Sequence, residues 1–371
     1  MAVEYKLQFY DRDGTPHAGS VVNFLRLDYS SVVDDVGLAL IDLPQGHAEI
    51  DLEWDGQIDI LWRDVAAGID WLTDFYGVYV DQDRRADVNG LVTTTMICED
   101  ANTWLNRSVV AYRANVLDRS QFYSDPVETI AKTLATYNAT AAGTTADGRV
   151  DDVDAWGANI SVEADGAAGT VRDFACSGRP LLNCLQDLAI SGDGDFGMVR
   201  TAGQAWEFRW YDGQLGTDRS GAGPNRITFA LNYNNMATPV LRRNRRTERT
   251  KAFVAGQGQE GARTVEVRTG ANYEALYGSR EIWVDRRDLL LPASLQAAGD
   301  ERLAELQARN ELTFAVKQSS GRRYGRDYFH GDKVIGFFEG ITDVKQIVST
   351  SVVVAAGGDD VQQIVFGLRD V

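Results

Sequence analysis

Lysine is nearly absent from this chain: six residues, against 31 arginines, 38 aspartates and 16 glutamates, with a formal net charge of -17. Short, strongly hydrated aspartate carboxylates dominate, and a surface of that kind repels itself in dilute buffer. At molar salt the screening length falls to about 3 Å and the penalty disappears. The composition therefore points to a hypersaline, halophilic setting. A high-GC coding bias is the other reading, and it accounts for arginine in place of lysine but not for so large a negative charge. Cysteine is scarce too. Cys98, Cys176 and Cys184 are odd in number and stand at no metal-ligand spacing, which argues against a disulfide framework or a structural zinc site and for buried thiols. His17, His47 and His330 each stand alone among turn residues, as surface or structural histidines do. No uncharged run approaches membrane-spanning length, and Glu4, Lys6, Asp11 and Arg12 interrupt what a signal peptide would need. A soluble protein with no membrane anchor is expected.

The usual signatures of catalysis are missing as well. There is no nucleophile elbow, no phosphate-cradling glycine loop with its lysine and no His-Glu-x-x-His, so the chain reads as a non-enzyme without a cofactor. Asp193-Gly194-Asp195 and Asp151-Asp152-Val153-Asp154 offer oxygen ligands, but neither sits in the twelve-residue calcium loop with its terminal glutamate, and no metal is expected. Many carboxylate pairs could serve a glycosidase, and nothing singles one out.

What is present is patterned for strands. The 371 residues exceed one compact core, so two to four domains are expected. Alternating segments run over Tyr5–Tyr10, Val21–Leu27, Ala48–Trp54, Gln57–Arg63, Asp74–Asp81 and Leu91–Ile97, parted by turn signals such as Asp11-Arg12-Asp13-Gly14 and Asp55-Gly56. Short strands at such spacing make a small barrel or sandwich. Trp54, Trp62 and Trp71 fall in this region as core plugs, or else as platforms for a sugar ring. Further on, Asp125-Pro126-Val127-Glu128 predicts a helix start, with Asp125 as N-cap and Glu128 completing a capping box. A second helix starts at Pro180 and stops at Ser191-Gly192. Ala139–Asp154 reads as an exposed loop, and Met198–Arg200 with Trp206–Tyr211 as a hairpin around Ala202-Gly203. Strands resume over Ile227–Leu231, Val240–Lys251 and Thr264–Thr269, followed by a helical stretch, Ser294–Leu312, with a break at Gly299-Asp300. The strands Lys333–Phe338, Thr342–Ser349 and Val361–Leu368 are expected to rejoin those before the helix in a second barrel, since three isolated strands cannot bury two faces.

Three blocks go beyond pattern. Tyr324-Gly325-Arg326-Asp327-Tyr328-Phe329-His330-Gly331-Asp332-Lys333-Val334 reads as a tight turn feeding a half-buried strand, its carboxylates being turn and interface groups rather than catalysts. Tyr277-Gly278-Ser279-Arg280-Glu281-Ile282-Trp283-Val284-Asp285-Arg286-Arg287-Asp288 is the second, and Trp104-Leu105-Asn106-Arg107 followed by Val109-Val110-Ala111-Tyr112-Arg113 the third. In their order and spacing over residues 104–334 the blocks resemble the baseplate-hub, or tail-tip hub, proteins of long-tailed siphoviruses. The resemblance implies an α+β, mainly β fold: two small β-barrel hub domains (1–105, and 236–275 with 320–371), an intervening α+β domain (106–235) and a helix-containing insertion (276–319). It implies a structural homotrimer at the distal end of a virion tail, in which two barrels per subunit give a six-fold-like ring. Such a ring meets the tail tube or distal tail ring, the tape-measure protein and a tip or fibre receptor-binding protein, and DNA passes through it without specific binding. A carbohydrate-binding adhesin and a tail-associated hydrolase are the competing classes.

Charge is unevenly spread. Residues 1–235 hold 17 basic and 36 acidic residues, residues 236–371 hold 20 and 18. The densest basic segment, Leu241-Arg242-Arg243-Asn244-Arg245-Arg246-Thr247-Glu248-Arg249-Thr250-Lys251, would as one strand put Arg243, Arg245, Thr247 and Arg249 on one face and Arg242, Arg246 and Lys251 mostly near the other. Nucleic-acid binding is one reading, but so acidic a chain repels phosphate outside the segment. Contact with the acidic first barrel of another subunit, whose residues 1–105 carry 6 basic and 20 acidic residues, is favoured, with Arg242, Arg243, Arg245, Arg246 and Arg249 as the candidate interface residues; solvated surface is the bland alternative.

Overall fold

The computed structural model describes residues 3–47, 52–111, 119–143, 159–201, 205–274, 278–287, 289, 291–317, 322–355 and 363–370. Six strands open the chain: β1 (Val3–Tyr10), β2 (Arg26–Val32), β3 (Leu38–Pro44), β4 (Gln57–Asp64), β5 (Ile69–Ala86) and β6 (Val92–Asp100). A mixed segment follows: α1 (Thr103–Arg107), β7 (Ser120–Pro126), α2 (Val127–Ala139), β8 (Ile160–Val162), β9 (Val171–Cys176), α3 (Leu181–Gly192), β10 (Gly194–Arg200) and β11 (Trp206–Asp212). The remainder comprises β12 (Thr228–Ala230), β13 (Met236–Asn244), β14 (Lys251–Ala255), β15 (Val265–Thr269), β16 (Glu281–Asp285), α4 (Pro292–Glu305), β17 (Arg309–Val316), β18 (Lys333–Phe338), β19 (Ile341–Ala355) and β20 (Gln363–Asp370). The fold is α+β and mainly β. It divides into two compact units, Met1–Ala237 with Ala315–Val371, and Thr238–Phe314.

In the first unit ten strands form one sheet in the order β1-β4-β5-β6-β3-β2-β19-β18-β12, with β20 also paired to β19. The period of two is visible in β3, where Ala39, Ile41 and Leu43 are buried and Leu38, Leu40 and Asp42 look outward. Inward residues of β2 and β6, Leu27, Tyr29, Met96 and Cys98, complete that layer. β5 runs for 18 residues where the sequence suggested only Asp74–Asp81. Register shifts at Ile60/Leu61, Trp62/Asp64 and Tyr79/Asp81 let so long a strand bend while it stays paired on both sides. Two expectations are corrected here. The segment Val21–Leu27 pairs as a strand only from Arg26, with Val21 making a lone bridge to Leu7. Of Ala48–Trp54, residues 48–51 lie outside the described residues and Leu52–Trp54 are not in a strand.

The late strands pair with the chain's first strands as well as with one of the segments expected. β19 pairs with β18 over Ile341–Gln346 and with β2 over Ser349–Ala355, and β18 pairs in parallel with β12. Of the strands expected to rejoin them, Ile227–Leu231 does so through Thr228–Ala230, while β14, β15 and β16 form a sheet of their own and β13 pairs with β17. The physical reason is reach: the 15-residue β19 spans two partners in turn, so the chain's end completes the sheet begun at its start.

The mixed segment has its own core, in which α2 and α3 present Ile130, Leu134, Leu185 and Leu188 to Phe196, Trp206 and Phe208 of the β10–β11 hairpin. The turn at Ala202-Gly203 lies outside the described residues, as do residues 144–154 of the expected loop. α2 begins without the expected cap. The N–H groups of Val127 and Glu128 are taken by the carbonyls of Thr170 (3.1 Å) and Ala168 (3.3 Å), leaving Asp125 nothing to cap. Asp125 accepts from the Tyr123 N–H instead (3.2 Å). Glu128 reaches across to the N–H groups of Gly166 (3.1 Å) and Ala168 (2.6 Å) and receives the buried Lys132 ammonium at 2.6 Å. Burial opposes its charge, but these donors outweigh it and hold its carboxyl below the usual range.

In the second unit α4 covers one face of the three-stranded sheet β15-β14-β16, Leu295, Ala298 and Leu303 packing on Ala252 and Val254. Gly299 is not a break. α4 runs through it, and a Cβ there would stand 2.7 Å from side-chain carbons of Val254 and Arg268, so the glycine is what lets helix and sheet approach. The helix ends at Glu305, and the expected continuation to Leu312 is strand, because β17 pairs with β13.

Candidate assembly surface

The Tyr324–Val334 block is where the chain's late part meets its early part within the first unit. Tyr324 stacks on Trp62, ring centroids 6.4 Å apart, and its hydroxyl donates to Asp74 at 2.8 Å. Tyr29 donates to the other oxygen of the same carboxylate at 2.7 Å. Burial raises Asp74 above its ordinary value and the two hydroxyls offset part of that. Arg323 bridges to Asp64. Gly325, at φ 76°, faces Trp62 so closely that a Cβ would lie 2.2 Å from the indole. Asp332 accepts from the N–H groups of Thr217 (2.7 Å) and Phe329 (2.8 Å) and pairs with Arg219 at 2.5 Å. Asp327 accepts from the Arg323 N–H (2.8 Å) and from Arg326 (2.7 Å). Both carboxylates are turn groups, occupied by backbone and arginine donors.

The remaining sequence candidates that lie among the described residues each have a structural place. Asp193 is the left-handed residue that ends α3, and Asp195 is fully buried, accepting from the Leu215 N–H (2.7 Å) and the Gln346 amide (2.5 Å). Asp151–Asp154 lie outside the described residues. All three cysteines are buried free thiols. His17 meets Asp11 at 3.0 Å and His47 meets Asn23 at 3.1 Å. Trp62 is core, and Trp71 is covered by Lys6 and Arg63 at 4.3 and 4.7 Å. Trp54 alone of the three is exposed, lying flat on Tyr79 with centroids 5.1 Å apart.

Two groups set an opposed pH response. Burial pulls His330 down to about 4, against the attraction of Asp195. Burial pushes Asp100 up to about 7, Asp35 and Glu99 adding to it and the N–H groups of Gly37 and Asn102 opposing. The folded chain therefore binds fewer protons at His330 than the unfolded chain does, and stability from that residue rises with pH between about 4 and about 6.5. At Asp100 the folded chain binds more, and stability falls between about 4 and about 7. His330→Asn removes only the rising contribution. Plotted against pH from 4 to 6.5, the variant's unfolding free energy is expected to fall away from the wild type's by about 2–3 kcal/mol, and parallel curves would contradict this assignment.

Two surfaces are open. In the first unit the outward side of β5-β6-β3-β2 carries Asp28, Asp42, Asp81 and Asp83, with Arg26 paired to Asp28 (2.8 Å) and Arg85 to Asp83 (2.7 Å). In the second unit lies the arginine segment, and it is not one strand. β13 ends at Asn244, and the Arg246 N–H donates to the Asn244 side chain (2.9 Å), turning the chain. The expected alternation beyond Arg243 is therefore lost. Arg245 pairs at 2.7 Å with the buried Glu248, which also accepts from Asn272 at 2.7 Å. Burial works against Glu248's charge, but the Asn272 and Arg245 hydrogen bonds outweigh it and keep the carboxyl below its usual range. Arg249 donates to the Glu248 carbonyl (3.0 Å). Arg242, Arg243 and Arg246 are exposed. The five arginines thus divide into two that brace a loop, Arg245 and Arg249, and three exposed ones for which no ion pair occurs among the described residues. That division was invisible in sequence, since only the bend at Asn244 and the burial of Glu248 create it.

Known proteins share this architecture. The tail protein from Neisseria meningitidis MC58 superposes with a TM-score of 0.60 at 13% identity, covering 99% of this chain and 97% of that one. The 43 kDa tail protein of prophage MuSo2 from Shewanella oneidensis gives 0.57 at 12%, covering 98% of each chain, and the prophage tail protein gp18 from Listeria monocytogenes EGD-e gives 0.56 at 11%, covering 98% and 94%. The fold is that of phage tail proteins. No curated protein sequence matches the chain. Residues 7–367 match the Siphovirus ReqiPepy6 Gp37-like protein family, and the chain belongs to that family of siphovirus tail proteins.

Proposed function

We propose that the chain is a structural, non-enzymatic hub at the distal end of a phage tail, three copies closing a ring between the tail tube or distal tail ring and the tip. The observation that carries this reading is the ten-stranded sheet that unites the chain's first hundred residues with its last forty and, over β5-β6-β3-β2, turns Asp28, Asp42, Asp81 and Asp83 away from the buried Leu27, Tyr29, Ala39 and Ile41. A sheet face with Asp28, Asp42, Asp81, Asp83, Glu99 and two guanidiniums is suited to line a passage for DNA, because repulsion keeps phosphates from adhering to the wall. Tape-measure and tip or fibre receptor-binding proteins are the neighbours such a ring would meet. Negative-stain images of the purified chain are expected to show three-fold rings, and a strictly monomeric chain would count against the hub. Trp54 favours a second reading, since an exposed indole stacked flat on a buried tyrosine can seat a sugar ring. Glycan binding lost in Trp54→Ala would support an adhesin instead.

A further inference from the structure

Three thiols are buried, and two of them meet. Cys176 ends β9 and Cys184 stands one turn into α3, with residues 177–183 between them. That connection is pinned rather than loose. The N–H groups of Gly178 and Leu181 donate to the carbonyls of Val110 and Ser108, both at 2.8 Å, and the Val110 N–H donates to the Arg179 carbonyl at 2.9 Å. Gly178 makes the bend at φ 65°. The frame sets the Cys176 S–H against the Cys184 sulfur, to which it donates a hydrogen bond. Both belong to the core of the mixed segment, Cys176 being 6% exposed and Cys184 fully buried. Arg179 and Asp187, joined at 2.7 Å and each nearly half exposed, flank the pair on its outer side. A buried thiol is ordinarily inert, because burial disfavours the thiolate that does the chemistry. Cys98 is of that kind, pushed up by burial alone. Cys184 is not: the hydrogen bond from Cys176 favours its thiolate and holds it below the usual thiol range, against burial and with help from the Arg179 guanidinium. The same bond, with burial, pushes Cys176 up, so one sulfur is the nucleophile and its neighbour keeps a proton.

We propose that Cys176 and Cys184 form a redox-active dithiol, which hydrogen peroxide closes to a disulfide that ties the end of β9 to the first turns of α3. The Cys184 sulfur attacks one peroxide oxygen, the O–O bond breaks, and the departing hydroxide takes up the thiol's proton as water, leaving a sulfenic acid. The Cys176 sulfur then attacks the Cys184 sulfur. The S–S bond forms, the S–O bond breaks, and hydroxide leaves with the Cys176 proton as a second water. Two thiols thus give up two electrons and two protons, and one peroxide becomes two waters. So enclosed a pair excludes a bulky disulfide as oxidant and selects a small peroxide. A tail protein is made where thiols are kept reduced and serves outside the cell, where they oxidise, so the bridge forms on that passage. The proposal goes beyond the hub reading and holds whether or not copies form a ring.

The test treats the folded full chain with hydrogen peroxide, blocks the remaining thiols with N-ethylmaleimide in urea and maps the peptides by mass spectrometry. Free thiols are expected to fall from three to one, Cys98 staying reduced, with a peptide that bridges Cys176 and Cys184 and is released by dithiothreitol. The oxidised chain should melt ~3 °C higher, since the bridge restricts the unfolded chain over a short loop. In Cys176→Ser the reaction should stop at a Cys184 sulfenic acid, which dimedone labels, and Cys98→Ser should oxidise as the wild type does. The wild-type measurement decides the matter even where a variant folds poorly. Three thiols left free in the folded wild type, at a peroxide level that oxidises the chain in urea, would overturn the proposal. So would a bridge to Cys98, or a Cys184 oxidised beyond sulfenic acid while Cys176 stays free.

Discussion

Gly325→Ala is expected to lower the chain's unfolding free energy by about 2–4 kcal/mol, read as an earlier urea midpoint with an unchanged slope. Two effects add. The residue sits at φ 76°, where a side chain is strained, and its Cβ would stand 2.2 Å from the Trp62 indole. Trp62 cannot easily yield: it is 3% exposed and stacked on Tyr324, whose hydroxyl is tied to Asp74. A control at Gly340, also at positive φ but with open space around it, should show the backbone strain alone, about 1 kcal/mol. Equal losses at the two positions would mean that the late block does not press on the early strands as described.

The second large effect is expected at Arg200. Its guanidinium bonds Asp59 at 2.8 Å and Gln57 at 2.7 Å, with the rings of Trp206, Tyr10 and Tyr76 at 4.5, 4.9 and 5.4 Å. Burial moves both partners toward neutrality, raising Asp59 and lowering Arg200, so desolvation exceeds what their attraction returns. Arg200→Met should cost about 3–5 kcal/mol, because it strands a buried carboxylate rather than because the pair itself is strong. The double variant Arg200→Met/Asp59→Leu should recover most of that loss, Tyr10 keeping its apolar contacts while losing its 3.0 Å hydrogen bond. Additive losses in the double variant would show instead that the pair is a net source of stability.

Much of the fold was legible because its signals are local. β18 appears at the bounds its alternation gives, and α3 lies between Pro180 and the left-handed Asp193, as the proline and glycine signals imply. Misreadings occurred where partners distant in sequence decide. β3 was missed because Leu-Ala-Leu-Ile-Asp-Leu is apolar on both faces, and only its place between β2 and β6 makes it a strand. The Asp125-Pro126-Val127-Glu128 cap failed because residues 168–170 already satisfy the helix's first donors. Gly299 looked like a break, since sequence cannot show that Val254 and Arg268 lie against it. The candidate surface was half legible: the arginine run is plain in sequence, but which arginines brace the loop and which face solvent depends on the bend at Asn244 and the burial of Glu248.

The central claim is that the open side of β5-β6-β3-β2 faces the channel of a three-fold ring. A cryo-electron microscopy map of the assembled chain tests it most directly. The account predicts three copies around a channel into which Asp28, Asp42, Asp81 and Asp83 project. A ring with those carboxylates on its outer wall, or buried against a neighbour, would contradict it.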